Sequence, residues 1–178
     1  MKTDISYLLK EFHQLPKAGQ DSLMKDLYNF SNKTKLLITN RLAGETDFSK
    51  LVRKMERETI NKIYRKGMPG MIDGRKVNAI ISSAKKAGAD PKILMELEKL
   101  AYRGFIEFMH EFGSGPDSYL DMAPSHLVAY LNLIKENMTE EQSGKIFQEV
   151  RHYLITKDNL ITDYTDDAFE EVTGMKVR

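Results

Sequence analysis

The segment between Asp90 and Gly113 constrains the fold more than any other part of the chain. Asp90-Pro91 places a common helix-capping residue directly before proline, which is favoured at the first position of a helix. Gly113-Ser114-Gly115-Pro116 then ends that helix. Between these signals, apolar or small residues recur at the helical period: Ile93, Leu97, Leu100, Ala101, Gly104, Phe105, Phe108 and Phe112. The pattern predicts a long core helix over about 91–112, with Gly104 allowing close approach of a neighbouring helix.

Similar signals divide the rest of the chain into helices joined by short breaks. Thr139-Glu140-Glu141-Gln142, for example, is typical of a capping box at the start of a helix. The other predicted helices cover about 4–14, 18–31, 32–43, 48–66, 75–87, 118–137 and 140–156. No segment shows the sustained alternation of apolar and polar residues that is typical of strands. The sequence therefore predicts an all-α fold of about eight helices in antiparallel hairpins, as a compact helical bundle or an irregular αα-superhelix.

Length and composition indicate a globular protein. The chain has 178 residues, of which 41% are hydrophobic and 30% charged. We expect a single helical domain at 1–157 and an acidic C-terminal tail at 158–178, with one short helix near 166–172. No apolar stretch approaches the ~20 residues of a membrane span, and no signal peptide is recognised. The absence of cysteine excludes disulfides and thiolate sites and fits the cytoplasm, the expected location.

Two Glu-x-x-His tetrads suggest metal chemistry at first sight. Glu107 with His110, and Glu149 with His152, have the spacing found in di-iron helical bundles. The helical period places the Glu of each pair about 100° and the His about 160° from the apolar side. Both pairs are therefore predicted to face solvent, and no di-metal core is expected.

A looser cluster of acidic and histidine residues surrounds the break after the long helix. Carboxylates with histidine bind divalent cations, although the spacing here matches no calcium or zinc motif. The cluster comprises Glu107, His110, Glu111, Asp117, Asp121 and His126. No hydrolase or kinase signature is present, so no catalytic residue, metal site or cofactor is predicted.

Charge is strongly segregated along the chain, although the formal net charge is only +1. Residues 50–86 hold eleven basic and three acidic residues, whereas 158–178 hold six acidic and two basic ones. A basic helix face is followed by a loop with Gly67, Gly70 and Gly74, and the glycines allow close backbone approach. We expect backbone amides of the next helix to bind an anion there, together with four basic side chains. These predicted anion-binding residues are Arg65, Lys66, Arg75 and Lys76.

The chain also resembles a family of small uncharacterised bacterial all-helical proteins, a domain of unknown function. The resemblance covers roughly 5–155. It rests on Tyr7-Leu8-Leu9-Lys10, Tyr64-Arg65-Lys66-Gly67, Gly74-Arg75-Lys76-Val77, Asp90-Pro91 and Gly104-Phe105-Ile106-Glu107-Phe108. The family has no established activity, so the resemblance implies a helical fold and no particular function.

Three functional hypotheses follow. The leading one is a non-enzymatic binding protein that meets an anionic partner, a nucleic acid or an acidic protein surface, through residues 50–86. A second is a homo-oligomeric structural protein whose acidic tail docks on the basic segment. A third is a metal-dependent enzyme that uses the cluster from Glu107 to His126. No membrane partner is expected.

Overall fold

The structure, a computed structural model, describes residues 4–43, 48–65 and 68–178. The prediction of an all-α fold is confirmed. The described residues form nine α-helices, and their strands are limited to one hairpin with two residues in each strand. The described residues divide into two units. One contains 4–43 with 86–88, and the other contains 48–65, 68–85 and 89–178.

The first unit is built from α1 (Ile5–Gln14), α2 (Lys17–Phe30) and α3 (Asn32–Ala43), in agreement with the predicted bounds to within one residue. Helices α2 and α3 pack against each other. Both α1 and α2 lie wholly within the described residues, and neither helix contains a buried residue. Large apolar side chains are therefore exposed along both helices, among them Ile5, Leu8, Leu9, Leu23, Leu27 and Phe30.

The second unit contains the hydrophobic core. Its helices are α4 (Ser49–Glu58), α5 (Gly74–Lys86, whose last residue groups with the first unit), α6 (Pro91–Phe112), α7 (Ser118–Asn137), α8 (Glu140–Thr156) and α9 (Thr162–Thr173). Between α4 and α5 lie a 3₁₀ turn at Ile60–Lys62 and the antiparallel hairpin of β1 (Tyr64–Arg65) and β2 (Met68–Pro69).

Helix α6 lies at the centre of this core. It packs against α4 and the 3₁₀ turn and also against α7. The predicted apolar residues Leu97, Ala101 and Phe105 are fully buried. Tyr102 and Ile106, outside the predicted stripe, are buried as well. The buried surface is wider than predicted because α6 is covered from more than one side.

Local capping signals form as predicted. Asp90 Oδ1 accepts a hydrogen bond from the amide of Lys92 at 2.8 Å. At the start of α8, the amide of Gln142 donates to Thr139 Oγ1, and Gln142 Oε1 accepts from the amide of Thr139. These contacts lie within a few residues of one another, so they need no tertiary context.

The predicted fourth helix, 48–66, is too long. Helix α4 ends at Glu58, and Thr59 leaves the helical region with φ −118° and ψ −100°. Thr59 is fully buried, its hydroxyl donates to the Met55 carbonyl oxygen at 2.7 Å, and it lies against Gly104 of α6. No helix-breaking residue marks this point in the sequence, so the packing against α6 decides where α4 ends.

The acidic segment 158–178 is packed into the second unit. It contains α9, in the region where one short helix is expected, and α9 packs against α7 and α8. Phe169 and Val177 are fully buried in the core. Residues 158–178 therefore belong to the unit that contains the core. The sequence predicts that these residues form a tail beside the helical domain.

One buried polar pair crosses the core. Glu98 of α6 is 2% exposed and His126 of α7 is 7% exposed. His126 Nδ1 lies 2.7 Å from Glu98 Oε2, and Lys85 Nζ donates to Glu98 Oε1 at 3.5 Å. The ring of Phe105 stacks on His126 with an interplanar angle of 8°. His126 therefore has a packed, hydrogen-bonded position inside the unit.

Candidate anion-binding surface

Helix α4 presents one basic face to solvent, as predicted. Lys50, Arg53, Lys54 and Arg57 are exposed, and residues three, four and seven positions apart share a helix face. On the other side Met55 is fully buried. Burial of that apolar side against the core holds the basic face outward.

The basic face of α4 continues into a concave surface that includes α5. One depression, of about 350 Å³, is lined by Arg57, Glu58, Asn61, Lys62 and Lys76. An adjoining depression of about 560 Å³ is lined by Lys50, Arg53, Glu56, Arg57 and Asn61. Arg57 and Asn61 belong to both depressions. We define the α4–α5 basic surface as Lys50, Arg53, Arg57, Asn61, Lys62 and Lys76.

Most cations of this surface are available to a partner. Lys62 pairs with Glu58 at 3.2 Å. The other four cations form no ion pair in the described part of the chain; they are Lys50, Arg53, Arg57 and Lys76. Five cations against two lining carboxylates, Glu56 and Glu58, leave the two depressions with a local positive charge.

The four predicted anion-binding residues are only partly brought together. Arg65 lies in β1 and not on α4, and its side chain lies outside the described residues, as does the whole of Lys66. Arg75 and Lys76 are exposed in the first turn of α5. Lys76 lines the α4–α5 basic surface, whereas Arg75 does not line either depression.

The backbone amides expected to bind an anion are engaged within the protein. Asp73 Oδ1 accepts hydrogen bonds from the amides of Arg75 at 3.0 Å and Lys76 at 3.4 Å. Asp73 therefore caps α5 with its own carboxylate, which is favourable at the positive end of the helix dipole. Anion binding at this surface has to come from side chains.

The glycines of the loop have internal roles as well. A side chain at Gly70 would collide with the carbonyl oxygen of Lys62, and the Gly70 amide donates to the Ile63 carbonyl oxygen at 3.0 Å. The space in front of Gly74 is filled by the Met122 side chain. The close approach expected of these two glycines serves packing of the chain on itself. The third glycine of the loop, at position 67, lies outside the described residues.

The acidic and histidine cluster after the long helix is dispersed. Glu107 bonds Tyr153 and Lys157. His126 is buried beside Glu98. Across residues 4–43, 48–65 and 68–178, no three carboxylate or histidine side chains are grouped so as to hold a metal ion. Of the two Glu-x-x-His pairs, Glu107 is partly buried and the other members are exposed: His110, Glu149 and His152.

The missed residues of the basic surface differ in how predictable they were. Asn61 continues the spacing of Lys50, Arg53 and Arg57, so the period of the predicted helix 48–66 places it on this face, although Asn61 lies in the 3₁₀ turn after α4. The helical period could not show that Lys76 and Arg57 line the same depression, because a turn, a hairpin and a loop separate them in sequence.

Comparisons with known proteins identify no relative of this chain. No family model matches the chain, and neither the curated proteins nor the solved structures contain a match. Among the helices that the structure describes, none has both the length and the apolar character needed to cross a bilayer.

Proposed function

We propose that this protein binds nucleic acid through the α4–α5 basic surface. The observation that supports the proposal is the row of cations from Lys50 to Arg57, unpaired within the described residues and extended across the depression to Lys76. From Lys50 to Arg57 this row is about 10 Å long at the rise of an α-helix. Duplex DNA carries one negative charge per about 1.7 Å of its axis, so a few phosphates fall within reach of the surface.

The expected recognition is of the phosphate backbone and not of base sequence. Lysine and arginine side chains on a shallow surface contact phosphates, which position a protein on nucleic acid but carry no sequence information. Exposed cations are also screened by salt, so binding should weaken steeply as ionic strength rises.

Fluorescence anisotropy with a short labelled DNA duplex, and with single-stranded DNA and RNA of equal length, tests the proposal. The test variant is R53E/R57E on α4. The matched control is K92E/K145E, which makes the same change in net charge at exposed lysines of α6 and α8. We expect at least about a tenfold loss of affinity in the test variant, and a plot of log K against log salt that is shallower by about two.

Two outcomes contradict the proposal. One is the absence of salt-dependent binding to any of the three nucleic acids at low ionic strength. The other is an equal loss of affinity in R53E/R57E and K92E/K145E, which would show that net charge matters and this surface does not. Under the first outcome, an acidic protein surface becomes the alternative partner.

Self-association is a second candidate, supported by a stripe of acidic residues on α9. Asp163, Asp167 and Glu171 are exposed and spaced by four residues, so they share one face. None of the three forms an ion pair within the described part of the chain. Their charge is complementary to that of the α4–α5 basic surface on a second copy.

A further inference from the structure

A separate cleft, of about 470 Å³, lies between α6 and the segment that follows α4. Its apolar lining comes from Ile60, Ile63 and Leu100. Its charged lining comes from positions of α6 spaced three or four residues apart, with Arg103 near the middle of that row. The volume is in the range of small-molecule sites, which are typically concave and mostly apolar with a few polar groups.

Arg103 is held in place without an anionic partner among the described residues. Its guanidinium lies over the ring of Tyr153, with Cζ 4.5 Å from the ring centroid. Its Nε is buried, the neighbouring Tyr102 hydroxyl interacts with its guanidinium, and in the described part of the chain Arg103 forms no ion pair. Because the guanidinium lines the cleft and has no carboxylate partner among the described residues, an anion that enters the cleft can pair with it.

Two carboxylates beside Arg103 are already engaged with other groups. Glu107 Oε2 accepts from Lys157 Nζ at 2.7 Å, and Oε1 accepts from the Tyr153 hydroxyl at 3.1 Å. Burial, together with the nearby Glu107 carboxylate, raises the pKa of Tyr153, so its hydroxyl remains a donor at neutral pH. The second acid, Glu111, accepts from the hydroxyl of Tyr64. Both acids therefore already have hydrogen-bond partners, and among the described residues neither forms an ion pair with Arg103.

We propose that this cleft binds a small organic carboxylate, with the carboxylate on Arg103 and an apolar body against Ile60, Ile63 and Leu100. A planar guanidinium matches a carboxylate in a two-point hydrogen bond, and its stack on the tyrosine ring orients it in advance. Lys99, which also lines the cleft, adds a second positive charge.

Two cations and three carboxylates line the cleft, so its charge disfavours a ligand with more than one negative charge. Three carboxylates line it, those of Glu96, Glu107 and Glu111. Like charges repel, so these acids disfavour a doubly charged phosphate more than a carboxylate. The proposal concerns a site separate from the α4–α5 basic surface and does not depend on nucleic-acid binding.

NMR titration of the full chain with benzoate tests this site, with benzamide and inorganic phosphate as the comparison ligands. We expect saturable shifts of the methyl groups of Ile60, Ile63 and Leu100 with benzoate. Benzamide, which has nearly the same shape but no charge, should bind at least about tenfold more weakly, and phosphate should produce no saturable shift there. No saturable shift with benzoate, or a stronger response to phosphate, overturns the proposal.

Variants assign the effect to the guanidinium. R103Q should weaken benzoate binding at least about tenfold, and R103K should fall between R103Q and the unmodified protein, because it keeps the charge but loses the two-point geometry. K92Q removes an exposed cation of α6 that does not line the cleft, so the affinity of this variant for benzoate should equal that of the unmodified protein. Unfolding temperatures confirm that each variant is folded. Equal affinity for benzoate in R103Q and the unmodified protein overturns the proposal. The comparison of benzoate with benzamide tests the proposal without any variant.

Discussion

Gly104 controls how closely α6 approaches the end of α4. A Cβ atom at this position would lie 2.6 Å from the Cβ of Thr59, well inside a van der Waals contact. Thr59 is fully buried and bonded to the Met55 carbonyl oxygen, so it has little room to move. The missing side chain therefore permits the contact that ends α4 and starts the 3₁₀ turn.

We predict that G104A destabilises the protein by about 1–3 kcal/mol, as overpacking of a filled core does. The steric cost exceeds the helix propensity gained, which is at most about 1 kcal/mol. Gly144 of α8 provides the matched control, because a Cβ there meets nothing within 4 Å. G144A should raise the free energy of unfolding by up to about 1 kcal/mol. Urea unfolding of both variants measures the difference, and a stabilised G104A would refute the account.

The pair of Glu98 and His126 shows why residue type and spacing are insufficient for assigning a site. In the sequence, His126 groups with the acids that follow the long helix. In the structure it is buried beside Glu98, 28 residues away along the chain. Buried polar groups need hydrogen-bond partners, and the partner here comes from a different helix. Only the packing of α6 against α7 reveals it.

Among the helices, α8 and α9 are joined through the side chain of Arg178. Its Nε lies 3.0 Å from Asp166 Oδ2, and its two terminal nitrogens donate to Asp158 Oδ1 and to the Leu154 carbonyl oxygen, both at 3.2 Å. Hydrogen bonds from the Thr162 hydroxyl and from Arg178 lower the pKa of Asp158 below its ordinary value. The guanidinium thus connects the end of α8, the segment after it and α9.

We predict that R178M increases amide hydrogen exchange in α9 by about two- to fivefold, the size expected for exposed ion pairs. K176M, which alters an exposed neighbouring lysine, is the control and should leave α9 unchanged. Because the folded pKa of Asp158 is lowered, its contribution is present above the unfolded pKa of about 3.9 and is lost as pH falls through the folded value. The difference between R178M and the unmodified protein should therefore shrink in acid. A difference that grows in acid would contradict this role.

Across the whole molecule, burial is distributed unevenly. Helices α1 and α2, both fully within the described residues, contain no buried residue, whereas α6 contains ten. The second unit therefore accounts for the hydrophobic core, in which α9 takes part through Phe169. Removal of 158–178 would expose this core. Substitutions on the outer face of α9 are therefore a better test than truncation of whether its acidic residues mediate self-association.

We predict that self-association, if it uses charge pairing between copies, is lost in D163N/D167N/E171Q and in R53E/R57E alike. Both sets of residues are exposed, so the fold should tolerate the substitutions. Light scattering at low and high salt measures the mass, and a dimer held by exposed charges should dissociate as salt is added. A monomeric mass for the unmodified protein at low salt, or a salt-resistant dimer, argues against the α9 stripe.

Short-range signals in the chain are enough to predict most of its helices and the basic face of α4. Caps such as Asp90 and Thr139, and apolar residues repeated at the helical period, act over a few residues, so they can be read before any tertiary contact is known. Three other features emerge only when the chain is folded: α4 stops before Thr59, Lys76 lines the same depression as Arg57, and Arg103 lines a cleft. They depend on which distant surfaces meet, and that is set by the packing of whole helices around α6.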